Sequence, residues 1–211
     1  AKGYSSDRGR TYVFFGGSSM NSTADLVMNG EAGGNYFGFS VSDAGDVNGD
    51  GYSDYLAGAY GYSTNTGRAY LYYGGAVPNN IADVIYTGLS VNLFSAWSVS
   101  GAGDVNNDGF DDVIVGAPRH SLTIGKAFVY LGGAIPDNTI DVTMTGEGIN
   151  NYFGISVSSA GDVNGDGYSD VIIGGSEYLS KTGRAFIYLG GSIMNNAADR
   201  IMQGETIGNY F

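Results

Sequence analysis

A repeat of 58 residues constrains this 211-residue chain more than any other feature. The segments DVNGDGYSD at 46–54, DVNNDGFDD at 104–112 and DVNGDGYSD at 162–170 start 58 residues apart, and the period runs well beyond them. Gly9-Arg10, Gly67-Arg68, Gly125-Lys126 and Gly183-Arg184 mark one point of four successive units. Phe15-Gly16-Gly17, Tyr73-Gly74-Gly75, Leu131-Gly132-Gly133 and Leu189-Gly190-Gly191 mark another. Asp25, Asp83, Asp141 and Asp199 mark a third, each five residues before a glycine. A period of this size, built of short strands, points to propeller blades rather than a helical solenoid.

The strands can be placed within a unit. Phe39–Ser42 alternates and leads into the first acidic segment. Tyr55–Ala59 follows it, with Val113–Ala117 and Val171–Gly175 as equivalents. Arg68–Tyr73 comes next, matched by Arg10–Phe15, Lys126–Leu131 and Arg184–Leu189, and Asp83–Thr87 closes the unit. Four such strands make one four-stranded antiparallel blade. No helical periodicity of ten residues or more is present. The expected organisation is all-β: a half blade at 1–34, blades at 35–92, 93–150 and 151–208, and the start of a further first strand at 209–211. Three and a half blades are fewer than the roughly 4–8 that close a propeller. A longer chain, or self-association through the terminal blades, is therefore expected.

The third strand explains why one unit cannot stand alone. Tyr12 and Phe14, Tyr70 and Tyr72, Phe128 and Tyr130, and Phe186 and Tyr188 share one face; Val13, Leu71, Val129 and Ile187 stand on the other. With both faces apolar, each blade should lie sandwiched between neighbours.

The acidic segments carry the chemistry. Each sets oxygen side chains at positions 1, 3, 5 and 9 and glycine at position 6, the ligand order that wraps a hard cation such as Ca²⁺. The expected ligands are Asp46, Asn48, Asp50 and Asp54 with the Tyr52 carbonyl; Asp104, Asn106, Asp108 and Asp112 with the Phe110 carbonyl; and Asp162, Asn164, Asp166 and Asp170 with the Tyr168 carbonyl. An ion-free turn would leave three or four carboxylates repelling one another within nine residues. Three Ca²⁺ per chain are expected, in a structural role, because the loops repeat and no unit stands out.

The charge agrees with this. The net charge is −12, and ten of the 21 acids lie inside the three loops. Three divalent ions would bring the total to −6. An acidic chain with nine Lys and Arg residues argues against nucleic acid and anionic membranes as partners. Cysteine is absent, and no apolar run approaches the roughly 20 residues of a membrane span. The chain begins with Ala, as a processed or excised segment would. Calcium sites of this kind suit an extracellular or cell-surface setting, where the ion is abundant.

Catalysis finds little support. His120 is the single histidine and falls in a loop, where it reads as a surface residue; no cysteine nucleophile exists. Trp97, whose register equivalents are Phe39 and Ile155, reads as a core residue of a first strand rather than a sugar platform. Tyr60, Tyr62 and Tyr178 fall in loops and are free to meet a partner. Glu31, Glu147 and Glu205 recur after glycine, with Leu89 at the fourth place, as a turn or interblade hydrogen bond would require.

Phe37-Gly38 and Phe153-Gly154, the three DxNxDGxxD loops and Gly116-Ala117-Pro118 together make the chain resemble the FG-GAP repeats that build the propeller of integrin α subunits and their bacterial relatives. Departures are Ser95-Ala96 in place of Phe-Gly, with Phe94 one residue early, Gly58-Ala59-Tyr60 in the first unit, and Gly174-Gly175-Ser176 in the third. The resemblance implies a seven-bladed type of propeller and a non-enzymatic adhesion module whose face loops meet a protein or glycan ligand. Alternatives within the same architecture are a carbohydrate-binding lectin and the non-catalytic propeller of a secreted polysaccharide-degrading enzyme.

Overall fold

Short β-rich runs punctuated by glycine give strands of four to nine residues throughout the computed structural model, which describes residues 1, 3–18, 21–208 and 210. Strands β1 (Arg10–Val13) and β2 (Leu26–Asn29) form an antiparallel pair. Strands β3 (Ser40–Gly45), β4 (Asp54–Ala59), β5 (Arg68–Tyr72) and β6 (Val84–Thr87) form a four-stranded antiparallel sheet in chain order. Strands β7 (Ser98–Gly103), β8 (Asp112–Ala117), β9 (Lys126–Tyr130) and β10 (Val142–Thr145) repeat it, as do β11 (Phe153–Gly161), β12 (Asp170–Gly175), β13 (Arg184–Tyr188) and β14 (Arg200–Gln203). The helical content among the described residues is one four-residue turn before each third strand, as at Tyr62–Asn65 and His120–Thr123.

The strand ends differ from the sequence expectation for definite reasons. Third strands stop at Tyr72, Tyr130 and Tyr188 because the next amide leaves the ladder. The N–H groups of Tyr73, Leu131 and Leu189 donate instead to the carboxylates of Asp83, Asp141 and Asp199 at 2.8–2.9 Å. The aspartate mark of the repeat is thus a side-chain clasp on the hairpin joining strands three and four. First strands run on to Gly45 and Gly103, which pair with Asp54 and Asp112 across a bulge. The expected strand start at 209–211 lies outside the described residues except for Tyr210.

The sheets stack as blades. β3 packs beside β7 and β7 beside β11, so the first strands line the inner side. Alternation along β8 then feeds two cores. Val113 and Val115 join Leu56, Leu71 and Tyr86 of the preceding sheet, whereas Ile114 joins Phe153, Val171, Ile173 and Phe186 of the following one. The third strand splits likewise: Phe128 and Tyr130 face back, and Val129 faces forward. At about 1.5–3 kcal/mol for each fully buried large side chain, these interblade cores are the main source of stability. Two repeat marks also meet there. Gly125 forms a bridge with Phe153 of the next blade, and a Cβ at Gly125 would lie 2.0 Å from the Phe153 carbonyl oxygen, so only glycine fits.

Both ends of the stack are open. Tyr12 and Phe14 are 44% and 45% exposed, while their equivalents Tyr70 and Tyr72 are 5% and 4%. At the other end Met202 is 37% exposed, whereas its equivalent Met144 is fully buried. The sheets therefore form a partial propeller that does not close on itself.

Candidate functional site

Each acidic segment joins a first strand to a second, and its folding is dictated by its own side chains. In the first loop, Asp46 accepts from the Asp50 N–H (3.0 Å) and the Gly51 N–H (2.8 Å). Asn48 Oδ1 accepts from the same Asp50 N–H (3.0 Å), and Asp50 Oδ1 accepts from the Tyr52 N–H (2.9 Å). These are nested Asx turns, and Gly51 sits at φ +88°, where a side chain would be strained. The second and third loops repeat the pattern through Asp104, Asn106, Asp108 and Phe110, and through Asp162, Asn164, Asp166 and Tyr168.

The ninth position behaves differently from the other acids. Asp54, Asp112 and Asp170 open the second strands and are buried. Each accepts from two backbone amides: Val47 and Gly74 for Asp54, Val105 and Gly132 for Asp112, Val163 and Gly190 for Asp170, all at 2.7–2.9 Å. The sequence gives no sign of this bracing role, which ties the loop to the glycine pair after the third strand. Burial pushes the Asp54 carboxyl up to about 6, and repulsion from Asp50 and Asp46 adds to it against the two amide donors. The same causes push Asp112 up to about 7. Asp162, by contrast, is held below its ordinary value by amide donors, Gly167 first.

The structure thus brings the first and third positions of each loop onto the shared amide of the fifth, sets the fifth on the amide of the seventh, and turns the ninth inward. Among the described residues no three carboxylate or imidazole groups converge on one point. The donor set within a loop is nevertheless all oxygen, counting Asn48 and the Tyr52 carbonyl, which is the chemistry a hard cation requires. Neighbouring blades add support. The Asp111 N–H donates to the Asp46 carbonyl (3.1 Å), the Ser169 N–H to that of Asp104 (2.9 Å), and Gly133 and Gly191 to Val47 and Val105. The third loop has no such clamp among the described residues, and Val163 is 53% exposed where Val47 and Val105 are buried.

The opposite ends of the first strands carry a second cluster. Tyr60 stacks on Tyr36 with ring centroids 4.9 Å apart and meets Phe39, Phe94 and Trp97 at 4.7–5.8 Å. The Arg119 guanidinium lies 4.5 Å over Phe94. Trp97 is therefore not the core residue expected. It precedes β7 and is half-buried among rings at the blade 1–blade 2 junction, because Ser98 begins the strand. The signal for this cluster was present in the departures from the repeat, since Tyr60 and Phe94 are the residues that break the regular pattern. His120 hydrogen-bonds Ser121 Oγ through Nδ1 (2.6 Å), and burial, helped by Lys126, lowers its pKa. Glu31 and Glu147 form interblade ion pairs with Arg68 and Arg184, as the turn-or-bridge reading required.

Comparison with known proteins bears on these features. A family model described as "FG-GAP repeat" matches residues 37–72, 95–131 and 153–188, including the unit with Ser95-Ala96. Human integrin alpha-6 is 34% identical over 157 residues, which covers 70% of this chain and 13% of that protein. Integrin alpha-4 of Xenopus laevis is 34% identical over 180 residues, covering 79% of this chain and 17% of the relative. Integrin alpha-PS5 of Drosophila melanogaster is 33% identical over 159 residues, or 70% and 16%. The chain spans less than a fifth of the length of these curated relatives.

Proposed function

Because this chain belongs to the FG-GAP repeat family, we propose that it is a calcium-stabilised, extracellular binding or adhesion module and not an enzyme. The observation that carries the reading is the threefold oxygen-only loop, with Asp50, Asp108 and Asp166 exposed at its rim and the carboxylates of Asp46, Asp104 and Asp162 folded onto amides beside them. Calcium would be held by Asp46, Asn48, Asp50, Asp54 and the Tyr52 carbonyl, and by their equivalents at 104–112 and 162–170. It would neutralise the buried ninth-position carboxylates and lock the inner strand ends, leaving the loops of the other face to meet a protein or glycan ligand. The aromatic cluster around Tyr60 offers that face a rigid surface of the kind enriched at interfaces. The open terminal faces are to be covered by further blades of a longer chain or by another copy.

Calorimetric titration tests the reading. About three Ca²⁺ should bind per chain, and EGTA should lower the melting temperature, since a ligand that binds only the folded state stabilises it. Mg²⁺ should substitute poorly, because its tight octahedron does not suit a wide cage of protein oxygens. A chelator that changes neither melting nor ion content would end the proposal.

A further inference from the structure

The acidic loops at 46–54 and 162–170 share one sequence, so any chemical difference between them belongs to their settings. Both contain Asn followed by Gly, at Asn48-Gly49 and Asn164-Gly165, whereas the middle loop reads Asn106-Asn107. Glycine after asparagine leaves the next amide nitrogen unshielded by a side chain, so that nitrogen can reach the asparagine Cγ. The remaining Asn-Gly pair, Asn29-Gly30, is closed to this approach. Asn29 ends β2 and its Oδ1 accepts from Arg10 Nε (2.7 Å), while Gly30 is buried with its N–H on the Gly9 carbonyl (3.1 Å).

The two identical loops differ at the groups that would react. Gly49 lies against the Phe110 ring of the next blade, where a Cβ would stand 2.6 Å from a ring carbon, and Asn48 is half-buried. Gly165 has open space around it, and Asn164 is exposed. In the third loop the Gly165 N–H donates to Asp162 Oδ1 (2.7 Å). Bonding to a carboxylate raises electron density on that nitrogen and strengthens it as a nucleophile. In the first loop Asp46 accepts from the Asp50 and Gly51 amides, with no bond from Gly49 among the described residues. Asn164 Oδ1 accepts from the Asp166 N–H (3.0 Å), so charge developing on that oxygen has a donor in place. Asn164 Nδ2 donates to Asp166 Oδ2 (2.8 Å). Both bonds turn the side chain forward along the chain, past the Gly165 amide.

We propose that Asn164 is a site of spontaneous deamidation, with the Gly165 nitrogen as nucleophile and water as co-reactant. The Gly165 nitrogen bonds to Asn164 Cγ and gives its proton to water. The Cγ–Nδ2 bond breaks, and that nitrogen takes a proton from water and leaves as ammonia. Water then opens the cyclic imide at either carbonyl, giving aspartate or isoaspartate, with nothing oxidised or reduced. Either product sets a new carboxylate beside Asp162 and Asp166, a change in the covalent structure and charge of the third loop. The step needs no ion, so it is tested apart from the module reading. Peptide mapping by mass spectrometry would follow the whole 211-residue protein as it ages at mildly alkaline pH in EGTA. Asn164 should convert about ten times faster than Asn48, and Asn106 should stay intact. Isoaspartate should be present among the products at 164, as opening of an imide requires. In guanidinium chloride Asn48 and Asn164 should convert at equal rates, because the fold alone separates them. Equal or faster conversion at Asn48 in the folded protein, an unmodified Asn164, or aspartate as its single product would overturn the proposal.

Discussion

Asp108 and Asp112 lie four residues apart in one loop, yet they do opposite work. Asp112 is fully buried and accepts from Val105 and Gly132, so Asp112→Ala strands two buried amides. At about 1–3 kcal/mol for each unsatisfied group, we expect a loss of roughly 2–5 kcal/mol by urea denaturation, with or without calcium. Asp108 is exposed. Asp108→Ala should remove one bound ion but cost less than Asp112→Ala in EGTA, because the Phe110 amide that it releases lies at an exposed turn where water can replace the carboxylate. Burial also sets a pH dependence. The folded Asp54 and Asp112 carboxyls titrate near 6 and 7, above their ordinary value of 3.8. A raised folded value means the neutral form is favoured, so this contribution is fully present below about pH 4 and disappears as pH rises through 6 and 7. In EGTA the melting temperature should therefore fall between about pH 4 and pH 7. Calcium should flatten or invert that slope by stabilising the ionised form.

At the scale of the element, the three loops share a sequence but not a setting. Val47 and Val105 are buried beneath clamps from the following blade, while Val163 is exposed. A loop held in shape from outside has less freedom to lose when it closes on an ion. In this chain the loop at 162–170 should bind calcium most weakly, and stepwise titration should show Asp166→Ala removing the last site to fill. If Asp50→Ala removes it instead, blade clamping does not govern affinity.

The whole molecule is held by interfaces between blades, and two halves of such an interface are left uncovered. Ile172 and Ile187 are half-buried and Met202 is exposed, in positions whose equivalents Ile114, Val129 and Met144 are fully buried. At the other end stand Tyr12 and Phe14. These surfaces match the two sides of the contact made twice between whole blades of the chain and once more by the half blade, so head-to-tail association is the geometry available to them. Light scattering on the isolated 211-residue protein should report oligomers, and Ile187→Asp combined with Met202→Lys should shift them toward monomer. A stable, soluble monomer without a bound partner would contradict this.

The blade pattern was legible from the residues because period and alternation are local. Strands with two apolar faces, such as Lys126–Tyr130, require neighbours on both sides wherever they occur, and the 58-residue spacing says how many there are. The nested turns of the acidic loops follow from Asp, Asn and Gly at fixed separations for the same reason. What the sequence leaves open is set by contacts between residues far apart in the chain. The amides of Gly74 and Gly132 reach the ninth-position aspartates across twenty residues, and Tyr60 finds Trp97 only once two blades are stacked. Burial, and with it the charge state of Asp54 and Asp112, belongs to that tertiary arrangement, because desolvation depends on what covers a group rather than on what precedes it.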